Sequence, residues 1–391
     1  MNERKLYFSS DFILGILGGG QLGKMLLYET RKYDIQTAVL DPNPDSPCRI
    51  ASNYFQEGDL MDYETVLNFG RKADVITFEI EHVNTDALRQ LEVEGKTVYP
   101  GADTLRIIQD KGLQKEFYKR NEIPTAPFRF VTSGKEVTKL IASGEEKLPL
   151  VWKSRKGGYD GKGVRVLKTR TDVEALPGIP AMLEHQIDFD KEIAVIVARN
   201  PKGEVATYPP VEMEFHPQAN LVEYVLCPAR IDEKVAEQAG KIAVKLSNAL
   251  ENVGLLAVEM FLTKSGELLV NESAPRPHNS GHFSIEGSIT NQFEQHLRAI
   301  LDLPLGNTES KTAAVMVNLV ARSQGKAENF YTHIEQMMAM EGVIPHIYGK
   351  KEMRPNRKMG HVTIVNKNIH KAREIARSEE RRVGKECTLR C

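Results

Sequence analysis

Gly254-Leu-Leu-Ala-Val-Glu259-Met260-Phe261 and, after a short polar gap, Gly266-Glu-Leu-Leu-Val-Asn271-Glu272-Ser273-Ala274-Pro275-Arg276-Pro277-His278-Asn279-Ser280-Gly281-His282 form the stretch around which the chain is organised. Two apolar runs flank Lys264-Ser265-Gly266-Glu267, which reads as a β-hairpin. A two-residue Ser-Gly turn and a four-residue loop give the same register, with Glu259 opposite Glu272 on one face. Like charges so placed repel unless a cation lies between them. Oxygen ligands suit Mg²⁺, and Mg²⁺ is usually shared with substrate phosphates. The hairpin therefore predicts a metal–nucleotide site. The alternative, for two lone carboxylates, is an ordinary hairpin with both acids solvated. The polar run after Glu272 weighs against it, because Arg, two His and Asn directly behind a core strand are costly to place without a role.

Working outward, the bulk composition sets limits. The 391 residues suggest two or three domains. A hydrophobic content of 41% with 27% charged residues supplies an ordinary globular core. A formal net charge of −1 gives no general attraction to nucleic acid or membrane, and neither is expected as a partner. No apolar run reaches the roughly 18 residues of a membrane span, and the first residues lack a signal core. Four Cys without a CxxC pair indicate neither a disulfide framework nor a zinc site. A cytoplasmic location is expected.

At the other end of the chain, Phe12 to Leu17 reads as a buried strand, followed by Gly18-Gly-Gly-Gln-Leu-Gly23, a helix from Lys24, and a strand Gln36 to Leu40 ending at Asp41. This is a βαβ unit with a G-x-G-x-x-G turn and an acid after its second strand. The pattern fits a dinucleotide site with Asp41 on the ribose. It fits equally a phosphate site for a smaller ligand, or a tight glycine turn with no ligand. Ala73 to Glu79 is another strand, with Glu79-Ile-Glu81-His82 at its C-terminal end. A charged helix starts at Lys111, and Pro124 and Pro127 mark the exit to a second domain.

Leu148 to Lys153 reads as a strand, then Gly157-Gly158-Tyr159-Asp160-Gly161-Lys162-Gly163, then a strand Val164 to Leu167. Strand–glycine loop–strand is a flap that can lie over phosphates; the alternative is a flexible hairpin tip. Ala181 to Ile187 is a strand carrying Glu184, which at this stage is either a ribose ligand or a surface acid. Strands follow around Lys191 to Ala198 and Val205 to Tyr208, and an amphipathic helix Ile231 to Asn252 leads into the opening hairpin. Near Lys311 a smaller module begins. Its turn Lys350 to Lys358 carries five cationic side chains in nine residues, either a phosphate clamp or a solvated basic loop. From Ser378 the amphipathic period is lost, and 378–391 reads as a non-native or disordered tail.

Gly18–Gly23, Gly157–Gly163, Asn271 to His282 and Arg354-Pro-x-Arg-Lys-x-Gly-His361 together resemble the 5-(carboxyamino)imidazole ribonucleotide synthases, purine-pathway members of the ATP-grasp superfamily. The resemblance runs from about residue 12 to 377. It implies an α/β and α+β fold in three domains: a Rossmann-like parallel sheet over 1–115, an ATP-grasp domain over 116–305 with its flap-bearing lobe at about 116–185, and a small β-rich module over 306–377. It implies a homodimer, and ATP with Mg²⁺ (or Mn²⁺) and bicarbonate acting on 5-aminoimidazole ribonucleotide through carboxyphosphate. Lys111, Lys153, Gly157 to Gly163, Glu184, His185, Gln186, Ile187, Glu192, His216, Asn271 and Glu272 would surround ATP, and Glu259 and Glu272 would hold the metal. Gly20, Gln21, Leu22, Glu79, His278, Asn279, Ser280, His282, Lys351, Arg357 and Lys358 would hold the ribonucleotide. Tyr159, Asp160, Arg276 and Lys358 would serve the chemistry. The family often has Arg where this chain has Lys111, a change that keeps the charge and loses fork geometry.

Three rival functions remain at this stage. An NAD-dependent oxidoreductase would explain Gly18–Gly23 and Asp41 but leaves the hairpin, flap and basic loop unused. A non-catalytic ATP-grasp scaffold would bind ATP without turnover. Another ATP-grasp ligase, such as a formate-dependent transformylase or a biotin carboxylase, is disfavoured by Tyr159-Asp160 and the His278 to His282 stretch.

Overall fold

The computed structural model describes residues 6–157, 163–216, 221–321, 323–326, 330–331 and 334–386, with side chains up to 377. The chain opens with β1 (Ile13–Leu17), α1 (Gln21–Lys32), β2 (Gln36–Asp41), β3 (Tyr54–Glu57), α2 (Tyr63–Gly70), β4 (Val75–Phe78), α3 (Thr85–Val93), β5 (Thr97–Val98) and α4 (Ala102–Gln109). Its five strands pair in the order β3-β2-β1-β4-β5, all parallel. Both faces are covered by helices, which is why the central strands β1 and β4 are buried without alternation, while β3 at the edge is not.

A four-stranded antiparallel sheet follows. It is built from α5 (Lys111–Arg120), β6 (Phe128–Val131), α6 (Gly134–Ser143), β7 (Leu150–Ser154), β8 (Val164–Leu167), α7 (Arg170–Glu174) and β9 (Ala181–His185), in the order β6-β9-β7-β8. β7 and β8 are antiparallel neighbours flanking the glycine loop, as expected of a flap.

The third sheet spans the rest of the chain. Its first part is β10 (Phe189–Arg199), β11 (Val205–Thr207), β12 (Val211–Phe215), β13 (Val222–Cys227), α8 (Glu233–Ala249), β14 (Gly254–Thr263) and β15 (Leu268–Ala274). A 3₁₀ turn (Asn279–Gly281), α9 (Ser284–Gly287) and α10 (Gln292–Ile300) lead to β16 (Ala313–Val320), β17 (Gly325–Lys326), α11 (Ile334–Met338), β18 (Val343–Ile347), β19 (Glu352–Met353), β20 (Lys358–Asn366) and α12 (Ile369–Glu386). The order is β15-β14-β10-β12-β13-β16-β20-β18, with β11 beside β10. Pairing of β13 with β16 carries the C-terminal strands onto the same sheet as the hairpin.

Alternation along β10 and β14 divides this sheet into two faces. Ile193, Val195, Val197, Leu256, Val258 and Met260 pack under α8. Ala194, Ile196, Leu255 and Ala257 form the opposite core with Phe283 and Met316. α10 packs between this sheet and the parallel one, and its Phe293, Leu297 and Ile300 enter the core beside α1. His296 fastens that junction, with its ring between Thr77 Oγ1 (3.0 Å) and the backbone N–H of Leu255 (3.2 Å).

α12 continues past 378 to Glu386. Glu, Arg and Lys are good helix formers and extend a helix without an apolar stripe. The segment Lys350 to Lys358 is not one open turn, since β19 pairs with β17 inside it and Lys358 already starts β20.

Candidate active site

The hairpin places Glu259 opposite Glu272, as read from the sequence, but by another route. The loop is neither two nor four residues. Gly266 N donates to Thr263 O and Thr263 N to Glu267 O, so three residues, Lys264 to Gly266, make the turn, with Gly266 at φ +85°. That count pairs Met260 with Val270 and would set Glu259 against Asn271. A bulge at Asn271 restores the register. It also turns Glu272 away from the α8 face that Val270 occupies, so Asn271 and Glu272 both serve the cleft.

Lysines converge on these two residues. Lys111 Nζ pairs with the Glu272 carboxylate, and Lys153 Nζ donates to Asn271 Oδ1 at 2.8 Å. Lys153 also meets Glu184 Oε2 at 2.8 Å, while Lys115 Nζ meets Glu184 Oε1 at 3.0 Å. Glu184 is therefore neither a surface acid nor an open ribose ligand: its side chain is 3% exposed, locked between two ammonium groups. Burial pushes its carboxyl up, but Lys153 and Lys115 outweigh burial and hold it below the usual range. Lys115 pays for the arrangement, its amine lowered by burial to about 8. Sequence reasoning missed Lys115. The signal was present, since Lys111 and Lys115 are one helical turn apart and share a face.

The electrostatics of the paired glutamates suit a bound cation. Burial, then the facing Glu272 and Glu192, push Glu259 above the carboxylate range. Lys111 beside it holds Glu272 below that range, against burial. Glu192 on β10 is pushed up to about 7 by burial, with Glu272 adding to the shift and Lys153 opposing it. Among the described residues no group of three or more His, Cys, Asp and Glu side chains is arranged to hold a metal ion alone. Two carboxylates beside an amide oxygen are instead the donor set of a hard cation that shares its shell with phosphates.

His278 links this cluster to the turn behind it. Its Nδ1 accepts from Ser280 N at 3.3 Å, which puts the ring proton on Nε2, 3.5 Å from Glu259 Oε1. Arg276 reaches the other way and pairs with Glu81 Oε1 at 2.7 Å. Ser280 and His282 are buried. His185 is exposed beside Glu146, followed by Gln186 and Ile187 in the connection between the two sheets. His216 closes β12, with its N–H on Leu221 O. Gly158, Tyr159, Asp160, Gly161 and Lys162 lie outside the described residues; Gly157 and Gly163, at their edges, both have φ of +75°.

The glycine turn corrects its sequence reading. Glu79 Oε1 accepts from Gly20 N at 3.0 Å and Oε2 from Gly23 N at 3.3 Å, at the N-terminus of α1. Asp41 Oδ2 takes Gly19 N at 2.7 Å. The amides that would cradle a phosphate thus hold two of the chain's own carboxylates, and Asp41 is not available to a ribose. A Cβ at Gly18 or Gly20 would come within 2.7 or 2.8 Å of Glu79 Oε1, so both glycines are there to admit an internal acid. The dinucleotide reading fails on this geometry. Gln21 and Leu22 follow Gly20 as the first residues of α1.

The basic segment is only partly gathered. Lys351 Nζ meets Asp45 Oδ1 at 2.5 Å, which ties the C-terminal strands to the proline-rich loop after β2. Arg357 donates to Glu352 O at 2.9 Å. Lys358 lies close enough to Glu259 to lower its pKa.

Comparison with known proteins decides between the remaining readings. Residues 12–109 match the ribonucleotide synthetase preATP-grasp domain, 116–293 the ATP-grasp domain, and 314–375 the phosphoribosylaminoimidazole carboxylase C-terminal domain. The chain is 37% identical to N5-carboxyaminoimidazole ribonucleotide synthase of Bacillus subtilis (strain 168) over 90% of its own length and 91% of that protein. The chain belongs to this family. N5-carboxyaminoimidazole ribonucleotide synthases are ATP-grasp ligases of purine biosynthesis, and the parallel sheet, grasp lobes and C-terminal strands described above are their fold. The synthetase structure from Thermotoga maritima has 42% identity and a TM-score of 0.85, covering 95% of this chain and 98% of that one. A synthase structure from Aspergillus clavatus, in complex with ADP and 5-aminoimidazole ribonucleotide, has 32% identity and a TM-score of 0.87, covering 96% and 99%. The phosphoribosylaminoimidazole carboxylase of Saccharomyces cerevisiae (strain ATCC 204508 / S288c), 37% identical over 90% of this chain, is longer: the chain spans 63% of it.

Proposed function

We propose that this chain carboxylates 5-aminoimidazole ribonucleotide with bicarbonate and ATP, releasing 5-carboxyaminoimidazole ribonucleotide, ADP and phosphate by way of carboxyphosphate. The observation that carries the reading is the facing of Glu259 and Glu272 at a cluster of lysines, one short turn from His278. The Aspergillus clavatus relative, solved with ADP and the ribonucleotide, supports both ligands.

In this reading Glu259 and Glu272, with Asn271 beside them, hold Mg²⁺; Mn²⁺ suits the same oxygen ligands. Bound there, the metal supplies Lewis-acid neutralisation of the transferring phosphoryl group. Lys111 and Lys153 add fixed positive charge where negative charge develops, and their carboxylate partners hold them in place before substrate arrives. Glu192, His216 and the His185 to Ile187 connection flank the adenosine. Bicarbonate oxygen attacks the γ-phosphorus and ADP leaves. Carboxyphosphate then breaks to CO₂ and phosphate, and the substrate amine captures the CO₂ and loses a proton. The intermediate is short-lived in water, so the Gly157–Gly163 flap must close over it. Tyr159 and Asp160 ride on that flap, and Asp160 orients the amine and takes its proton. Arg276 and Lys358 hold the bicarbonate-derived group, and His278 to His282 with Gln21 and Leu22 hold the ribonucleotide. Lys351 and Arg357 face its phosphate. The enzyme works as a homodimer in the cytoplasm.

The test is phosphate release from ATP with and without the ribonucleotide and bicarbonate. Stimulation by both, with formation of the carbamate product, is the expected outcome. Release that ignores the ribonucleotide overturns the assignment.

A further inference from the structure

The turn that carries His278 is gripped by two neighbouring residues of the C-terminal strands. Asn318 stands in the apolar run Ala313–Val320 of β16 and is buried. Its Nδ2 donates to Asn279 Oδ1 and to Val222 O, both at 2.9 Å, and its Oδ1 accepts from Asn279 Nδ2 at 2.8 Å. The Val222 carbonyl fixes which end of the Asn318 amide carries the N–H groups, so the Asn279 amide is oriented as well. The cross-strand partner of Asn318 is His361 on β20. The His361 ring stacks on that of His282, with centroids 4.7 Å apart. Residues 279 and 282 are thus pinned from one patch of one sheet, and Ser280, which orients the His278 ring, lies between them.

An amide buried on an apolar strand costs free energy unless each of its groups is bonded, and an aliphatic side chain of similar size avoids that cost. Here every bond beyond the one to Val222 goes to Asn279. We propose that Asn318 is a positioning residue: by fixing the amide of Asn279 it sets the His278–Ser280 turn, and with it the acceptor end of the site, against Glu259. β16 then belongs to the catalytic apparatus without touching the reacting atoms. This inference rests on the proposed function above.

The test compares wild type with Asn318→Leu, Asn318→Gln, Asn279→Ala and the double variant Asn279→Ala/Asn318→Leu. Wild type must first show ribonucleotide-stimulated phosphate release; if it does not, the functional reading itself fails. Given that stimulation, Asn318→Leu is expected to lower kcat/KM for the ribonucleotide at least tenfold with KM for ATP within twofold. It is also expected to release more phosphate per carbamate formed. The double variant is expected to be no worse than Asn279→Ala. Normal kinetics and coupling in Asn318→Leu, or equal losses for ATP and ribonucleotide, overturn the inference. Should Asn318→Leu fail to fold, Asn318→Gln decides. It keeps both donors but displaces the amide by one methylene, and wild-type coupling in it is equally fatal to the inference.

Discussion

Glu259 and Glu272 face each other one residue beyond the bulge at Asn271, and Lys111 pairs with Glu272. A metal held as proposed would therefore have unequal ligands: Lys111 keeps the Glu272 carboxyl below the usual range, while burial and the facing Glu272 push Glu259 above it, so Glu259 would have to give up a proton. Metal binding requires deprotonated ligands. Apparent Mg²⁺ affinity, read by metal titration of phosphate release, should rise with pH through neutrality in wild type. Glu259→Gln should abolish that rise and lower kcat on the order of a hundredfold. A pH-independent wild-type affinity would contradict the assignment.

Glu192 gives a stability prediction with a defined sign. Its folded pKa, about 7, lies above the ordinary 4.5. Between those values the native carboxyl keeps a proton that the unfolded chain has lost, so its contribution falls as pH rises. Relative to Glu192→Gln, the wild type should lose stability from about pH 4.5 to about pH 7 and then level off. Urea midpoints at a series of pH values measure this, and parallel curves would refute it.

Lys115→Met should destabilise the fold by about 3 kcal/mol, because it leaves Glu184 buried with one ammonium where it had two. Thermal unfolding followed by circular dichroism reads the loss. A variant as stable as wild type would mean that Lys153 alone compensates Glu184.

The amides of Gly19, Gly20 and Gly23 are already occupied, so millimolar NAD should neither bind nor shift the melting temperature. Glu79→Ala frees two of them and should cost about 1–3 kcal/mol. It should also weaken ribonucleotide stimulation while KM for ATP is preserved. Measurable NAD binding by wild type would restore the dinucleotide reading.

Asp160→Asn removes the proposed base. Turnover is expected to drop on the order of 10²-fold or more, with ATP binding by calorimetry unchanged. Near-normal turnover would remove Asp160 from the proton step.

The hairpin was legible because its two glutamates sit in apolar strands whose alternation fixes the face each residue takes. The loop and bulge were not: a one-residue error in one is cancelled by the other, and the pattern of apolar residues is the same either way. Glu79 at the glycine turn was illegible for a different reason. G-x-G-x-x-G dictates a backbone path, and what fills the path comes from a strand more than fifty residues on. Asn318 was not singled out, since its partner Asn279 lies in a 3₁₀ turn 39 residues earlier in the chain. The Lys111 and Lys115 spacing was readable and passed over, as were the alternation of β12 and the amphipathic period of α6.

The acid at the start of α1 also acts as a key. A helix N-terminus attracts anions, and left open it would invite the phosphate end of any nucleotide. With Glu79 seated there, the amides of Gly20 and Gly23 are already taken when a ribonucleotide enters phosphate-first. In the proposed binding mode, with the phosphate toward Lys351 and Arg357, the base would lie toward α1, so the occupied helix terminus would favour one polarity of entry.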